Sequence, residues 1–595
     1  MMNRPCATVL LIFGSAVSVL AQNECFIRLN QLGFQPNDTK TAVAFGGQPV
    51  ASDFEVLAAN DGGTVWRGET KPISESQWGQ FHFHAQCDFS GFQKAGRYTL
   101  RVGAVRSAPF TIARNIYAPL PDELLEFMRE QRCGYNPFLD QTCHSLDGRT
   151  AYGPLPNGTF LDCTGGWHDA GDLLKYLLTS GNATAQMLTA WRLAGSAQIF
   201  HDTVQASGRP GANGVPDILD EARWGLQWML KLHPAPDQLY HEVADDRDHG
   251  GWRLPKDDIA DYGWGKGKDR VVYFADGKSQ GLKTYKSEST GIANLAGRYA
   301  AAMALAQLTF TNTDPSFART CLQAGMEVYR LGRAHEGVQQ GNSYSAPYRY
   351  AETTWADDME WGAAALYAAT GESNYLSDAK HYAEMAGSES WMGREQTGHY
   401  QYYPFMNIGH FALYEFADPA LQRVLAGYYR DGIERCMAAS RKNPYGVGVP
   451  FIWCSNNLLA ALVTQCALYE RMTGDRRYHE FMCRQRDWLL GRNPWGTSMF
   501  TGIPEGGVYP HHPHLMTTQL TGRSVRGALV DGPVYDRIFK TLKGITTPAD
   551  DPFAPFQSDQ AVYHDDLHDY SSNEPTMDGT ASAILMWALI CAWQN

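Results

Sequence analysis

The hydrophobic period of this chain changes once, near residue 113, from two residues to 3.6. A single layer of structure cannot satisfy both periods, so the chain divides. From residue 25 the runs FIRLNQLGF, KTAVAF, FEVLAA, QFHFHAQCDF, GRYTLRV and APFTIA alternate or are β-branched, and Gly, Asn, Asp and Pro separate them. So many short strands in about 90 residues predict an immunoglobulin-like β-sandwich over 22–113. No catalytic cluster lies in it, and its expected role is structural.

Beyond RNIYAPLPDE the pattern is helical. Amphipathic helices are predicted over Glu123–Arg132, Pro216–His233, Ser289–Leu308, Pro315–His335, Trp355–Thr370, Ser373–Gly387, Pro419–Ala439, Asn457–Thr473, Arg476–Leu490 and Thr580–Trp593. One more is expected to run on from TGGWHDAGDLLKY, Thr164–Tyr176. LYAATGESNYL at Leu366 and LYERMTGDRRY at Leu468 echo one another, each stopping a helix at Thr-Gly and restarting before a Tyr. Paired helices with short returns, repeated about six times, predict an all-α (α/α)6 barrel for 114–595. The stretches 234–288, 389–415 and 492–575 are expected to be loops that carry function.

The first residues, MMNRPCATVLLIFGSAVSVLAQ, place Arg4 before an apolar run from Ala7 to Leu20, with small-residue cleavage positions at Val19 and Ala21. Residues 1–21 therefore read as a signal peptide, too short to span a membrane, and the protein is expected in the periplasm or outside the cell. A net charge of −13 argues against nucleic acid as a partner. Aromatic residues make up 12% of the chain, an excess that is usually core but also suits flat platforms for sugar rings. Removing Cys6 from 12 cysteines leaves 11, an odd number, so at least one is unpaired or bound to something else.

In GGWHDAGD the acids Asp169 and Asp172 stand three residues apart. They read either as caps at a helix start or as groups that handle a proton or a water. Cys133, Cys143, His144 and His168 form a second constellation, fit for a closed zinc site; a Cys133–Cys143 disulfide is the alternative.

GGWHDAGD (Gly165–Asp172), WADDMEWGAAALYAATG (Trp355–Gly371), LLGRNPWGTSMFTG (Leu489–Gly502), YPHH (Tyr509–His512) and DYSSNEP (Asp569–Pro575) follow in that order. Together they resemble glycoside hydrolase family 9, the family of inverting endoglucanases and cellodextrinases. FIRLNQLGFQP resembles the start of the immunoglobulin-like module that precedes its barrel in one branch. The resemblance implies Glu574 as general acid, Asp172 as general base and Asp169 as its companion in holding water. It implies a sugar site lined by His511 and His512, with Asp569 and Tyr570 shaping the surroundings of the acid. Tyr509, Trp355, Trp264 and Trp453 are candidate platforms. Pro513 stands where the family usually has an arginine after the His pair, unless Arg523 or Arg526 replaces it. The resemblance favours structural zinc on Cys133, Cys143, His144 and His168. Calcium is common in the family, but no carboxylate cluster marks a site here; catalysis needs no cofactor. The implied activity is hydrolysis of β-1,4-linked glucan, as polysaccharide or oligosaccharide. The alternatives are an exo-acting cellodextrinase or exo-glucosaminidase, a xyloglucan-active endoglucanase, or a binding protein without activity. The acid and base argue against the last of these.

Overall fold

A computed structural model describes residues 25–592, apart from 75, 76, 197, 548 and 549; the expected signal peptide, 1–21, lies outside the described residues. The N-terminal part folds into nine strands: β1 (Cys25–Arg28), β2 (Gly33–Phe34), β3 (Thr41–Gly46), β4 (Asp53–Ala58), β5 (Thr64–Pro72), β6 (Phe83–Asp88), β7 (Gly96–Val102), β8 (Val105–Arg106) and β9 (Phe110–Ile112). One sheet runs β1-β3-β6-β5 and the other β5-β4-β7-β9-β2, with β8 on β7, so β5 passes from one to the other. Phe34, Phe54, Phe89, Tyr98, Leu100 and Phe110 fill the space between them. The strand β5 is not among the six runs quoted above, because both its faces are largely exposed and no apolar alternation marks it.

Strand β3 is buried along its whole length. Ala42 and Ala44 face the sandwich interior, while Val43 and Phe45 join the core of the helical part. That dual burial explains the nearly unbroken apolar run TAVAF, since a strand covered on both faces cannot alternate. Polar groups complete the seam. The Arg28 guanidinium donates to Pro494 O at 2.9 Å and lies over the Phe556 ring. Asn30 donates to Asp487 at 2.9 Å, Trp78 Nε1 to Phe556 O at 2.9 Å, and Arg486 pairs with Asp38 at 3.1 Å. Asp38 also approaches His479 and Cys483, and there Asp38 pairs with Arg486 and His479 with Glu470.

The helices that build the second part are α1 (Leu125–Glu130), α2 (Leu177–Ala194), α3 (Asp217–Lys231), α4 (Ala293–Phe310), α5 (Pro315–Ala334), α6 (Ala356–Thr370), α7 (Ser373–Ala386), α8 (Ile408–Tyr414), α9 (Pro419–Ser440), α10 (Ser455–Thr473), α11 (His479–Leu489) and α12 (Met577–Ala592). The even-numbered helices touch in a closed ring, α2-α4-α6-α8-α10-α12 and back to α2, and the odd-numbered ones pack around it. Burial divides the two sets. The helices α2, α4, α10 and α12 are covered almost all round, whereas α3, α5 and α9 show one buried stripe. Close contact inside the ring needs small residues. A Cβ on Gly297 of α4 would lie 2.3 Å from the Asp358 backbone of α6.

Two expectations are corrected. The stretch 389–415 is not wholly loop, for it contains the inner helix α8. The helix expected to run on from 164–176 is α2, but it starts only at Leu177, so Asp169 and Asp172 do not stand at its start; Gly165 and Gly166 hold φ of 96° and 74° ahead of it. The stretch 234–288 also contributes strands. With β10 (Tyr135–Asn136) and β11 (Gln141–Thr142) forming a hairpin before it, a small sheet orders β12 (Arg149–Ala151), β15 (Val271–Phe274), β14 (Tyr240–Val243) and β13 (Lys175–Tyr176). This sheet braces the loop that carries Asp169 and Asp172.

Candidate active site

The loop before α2 is fixed at several points. Trp167 Nε1 donates to Glu221 on α3 at 2.8 Å, and Lys175 Nζ donates to Cys163 O and Gly165 O at 2.8 and 2.9 Å. The Lys175 ammonium also pairs with Asp147, which Arg270 grips in turn. Asp169 is 1% exposed, and its two oxygens accept from the hydroxyls of Thr179 and Tyr350. Burial, then the nearby Asp578 and Asp172, push its proton affinity well above that of an ordinary carboxyl. Asp172 differs. Its Oδ1 accepts the Leu174 N–H at 2.9 Å, its Oδ2 faces His249 Nε2 at 3.6 Å, and its side chain keeps 16% of its surface open. Neither acid caps a helix.

Glu574 arrives from the other end of the chain. The buried Asp569 carboxylate accepts from Ser571, Ser572 and His564 and folds the turn that presents it. Glu574 Oε1 accepts the Gly171 N–H at 2.9 Å. Burial raises the proton affinity of Glu574 well above the ordinary value, and Asp172, Asp531 and Asp169 add to this against the Gly171 bond. A cavity of about 530 Å³ has Asp172 and Glu574 in its wall, together with Trp453, Tyr570, Trp252 and Tyr348. Trp453 stacks on Tyr570 with ring centroids 5.8 Å apart, which puts an aromatic pair in the wall beside the two carboxyls.

The histidines of this cavity are His249, His514 and His568. His511 and His512 lie exposed outside its lining, with their backbone N–H groups donating to Asp565 and His512 O accepting from Asn573. His514 holds its Nδ1 against Leu567 O and packs on Trp252 at 4.8 Å. Burial works against a charge on His249, but the neighbouring Asp172 outweighs it and raises the imidazole's proton affinity. Of the other expected sugar contacts, Tyr570 and Trp453 are in the wall. Tyr509 packs on His511, Trp355 on Tyr382, and Trp264 beside Gly158, all outside the lining. The Asp569 carboxylate is used up within its own turn. Arg523 and Arg526 do not supply the missing arginine, since they bond to Phe138 O and to Glu123. The cation in the lining is Lys543. His249 carried a signal in the sequence, a histidine beside Trp252 in the acid-rich DDRDHGGW; His514 directly follows Pro513.

Cys133, Cys143, His144 and His168 converge, all four donor atoms lying within 4.8 Å of one another. His144 Nδ1 is 3.4 Å from His168 Nε2 and 3.6 Å from Cys133 Sγ, and Cys143 Sγ is 3.8 Å from His168 Nε2. Metal bonds of about 2.0 Å to nitrogen and 2.3 Å to sulfur give tetrahedral edges of about 3.3 to 3.8 Å, so the donor set fits zinc. His144 turns its other nitrogen to Asp258 at 3.2 Å, the kind of outer bond that fixes a ligating imidazole. Cys133 and Cys143 are both free thiols in this arrangement, with the two imidazoles beside them.

The model of glycosyl hydrolase family 9 matches residues 117–589, and that of the cellulase N-terminal Ig-like domain matches 22–107. A xyloglucan-specific endo-β-1,4-glucanase of Bacteroides ovatus is 27% identical over 94% of this chain and 92% of its own length. Endoglucanase C of Cellulomonas fimi is 26% identical over 95% of this chain and 51% of its own length. A cellodextrinase of Butyrivibrio fibrisolvens is 24% identical over 93% and 97%. The solved structure of a metagenome-derived family 9 endoglucanase superimposes with a TM-score of 0.76 at 27% identity, covering 96% of this chain and 99% of its own. A zinc-binding triple mutant of another family 9 endoglucanase superimposes at 0.73 and 24% identity, covering 93% and 99%. With a matching family model over most of its length and two carboxyls facing one cavity, this chain is a glycoside hydrolase and belongs to glycosyl hydrolase family 9.

Proposed function

We propose that this chain is an exported enzyme that hydrolyses β-1,4-linked glucan, as cellulose-type polysaccharide or its oligosaccharides, with inversion at the anomeric carbon. The observation that carries this is the shared cavity of Asp172 and Glu574, flanked by Trp453 and Tyr570. Inversion needs an acid for the leaving oxygen and a base for a water on the opposite face of the ring. Glu574 suits the acid, because burial and the acids around it raise its proton affinity. Asp172 suits the base, being the open carboxylate of the pair, with an imidazole beside it. Asp169 stands behind Asp172, and its bonds to Thr179 and Tyr350 anchor the loop, so its support for the base is indirect. Trp453 and Tyr570, both in the cavity wall, offer apolar ring surface for a glucosyl ring.

One structural zinc on Cys133, Cys143, His144 and His168 pins the same loop from its outer side, since His168 directly precedes Asp169. Export rests on the leader-like residues 1–21. Incubation with gluco-, xylogluco- and glucosamine β-1,4 oligosaccharides tests the reading. Product lengths over time assign the sugar and separate endo from exo action, and NMR of fresh product reads the anomer. The α-anomer is expected first; release of the β-anomer would mean retention and remove Asp172 as a base acting through water.

A further inference from the structure

Asp531 is a buried acid beside Glu574 that the reaction above does not use. Val530–Gly532 runs antiparallel to the segment that carries the acid. Val530 pairs with Pro575, Asp531 N–H donates to Glu574 O at 2.7 Å, and Gly532 N–H donates to Ser572 O at 3.0 Å. Asp531 O in turn accepts the Asn456 N–H at 2.9 Å, which ties the segment to the start of α10. The side chain is 1% exposed, and neither carboxyl oxygen has a hydrogen-bond partner of good geometry. The Cys454 thiol and the Trp453 indole lie against it, and the acids that weigh on it are Asp578 and Asp569.

Burial makes this carboxyl costly to ionise, but the Cys454 thiol and the Trp453 indole favour its charged form, so Asp531 can carry a charge beside Glu574. No cation is among the groups that act most strongly on Asp531. Those that act on Glu574 are the Gly171 N–H, Asp172, Asp531 and Asp169, while Tyr348, Tyr570 and Cys454 feel its charge. The Gly171 N–H favours an ionised Glu574, which would be useless as an acid. Asp172 opposes that, but its charge disappears when it takes a proton from water. Asp531 stands outside the reaction, so its influence lasts through the whole cycle. Two adjacent buried carboxyls do not ionise together readily, and a charge on one holds the proton on the other.

We propose that Asp531 is a positioning residue for the acid: carried beside Glu574 on paired backbone, it sets the upper pH at which Glu574 still holds its proton. This rests on the reading of Glu574 as general acid. The test compares the full-length enzyme with Asp531→Asn and Asp531→Leu, using pH profiles of kcat/KM on a gluco-oligosaccharide and on an aryl glycoside with an activated leaving group. On the oligosaccharide the alkaline limb should move down by about one pH unit in either variant, with KM and the acid limb unchanged. On the aryl glycoside, which leaves without a proton, that limb should stay where it is in the wild type. An unmoved limb on the oligosaccharide, or an equal loss at every pH on both substrates, would overturn the proposal. So would failure of both variants to fold, which would give Asp531 to the fold alone. Glu574→Gln in the same assay keeps the two readings apart: without recovery on the aryl glycoside, the acid assignment itself falls.

Discussion

The backbone N–H of Gly171 donates to Glu574 Oε1 at 2.9 Å, joining two segments 403 residues apart in the chain. The loop of Asp172 and the turn of Glu574 are thereby set against each other by one short residue. A Cβ at position 171 would lie 2.4 Å from His514 O and 2.8 Å from Glu574 Oε1. Gly171→Ala should therefore displace the acid while leaving the barrel folded, and lower kcat by about 100-fold, the usual cost of misplacing a reacting group by an ångström. Wild-type turnover in this variant would show that the contact does not position Glu574.

Asp172→Ala and Glu574→Ala should each reduce turnover by roughly 10² to 10⁴-fold, with little loss of ligand affinity. They should part on an aryl glycoside with a good leaving group. The Glu574 variant should recover there because departure needs no proton, and the Asp172 variant should not, because water attack remains unassisted. Equal recovery in both would reverse or remove the assignment.

Purified protein should carry about one zinc per chain, and Cys143→Ser or His144→Ala should lose it and melt at a lower temperature, because a closed site binds only the folded state. Activity should fall with the metal, since His168 and Asp169 are adjacent in the loop. Elemental analysis and thermal melts check this; a metal-free protein of unchanged stability would refute it.

The β-sandwich should stabilise the barrel. Trp78 is fully buried against Tyr445, Phe451 and Trp495 of the helical part. Trp78→Ala should cost about 3–5 kcal/mol, as truncation of a buried aromatic does, and lower the melting temperature of the whole chain. Substrate affinity should be unchanged in the fraction that remains folded.

Much of this fold was legible because outer helices must show one apolar stripe, as α3 and α5 do. The helix α8 was not, for Ile408–Tyr414 is two turns long and a pattern needs more length to declare itself. The acids Asp172 and Glu574 were readable as motifs, because their chemistry needs particular residues in particular surroundings. His514 and Asp531 were not, since each owes its place to packing between segments far apart in the chain, and His249 was marked only by its neighbours in DDRDHGGW. Asp565, Asp566 and Asp569 precede Glu574 closely in the chain, and proximity in sequence alone would make them its like-charge neighbours. The groups that act on it are instead Asp172, Asp531 and Asp169, which the fold brings from elsewhere.

The raised proton affinity of Glu574 also makes a prediction about stability. In the folded enzyme burial, Asp172 and Asp531 hold its proton to a higher pH than in the unfolded chain. Between those two values the native state binds more protons than the unfolded state, so stability falls as pH rises. The contribution is fully present below the ordinary carboxyl value and is lost through the raised one. Glu574→Gln keeps the shape and cannot ionise. Its melting temperature should match that of the wild type in acid, then exceed it increasingly as pH climbs through the range where the wild type begins to charge the site. Paired melting curves across that range measure the difference. Parallel curves would mean that Glu574 ionises in the folded enzyme as it does in the unfolded chain, which would remove the physical basis for its role as the acid.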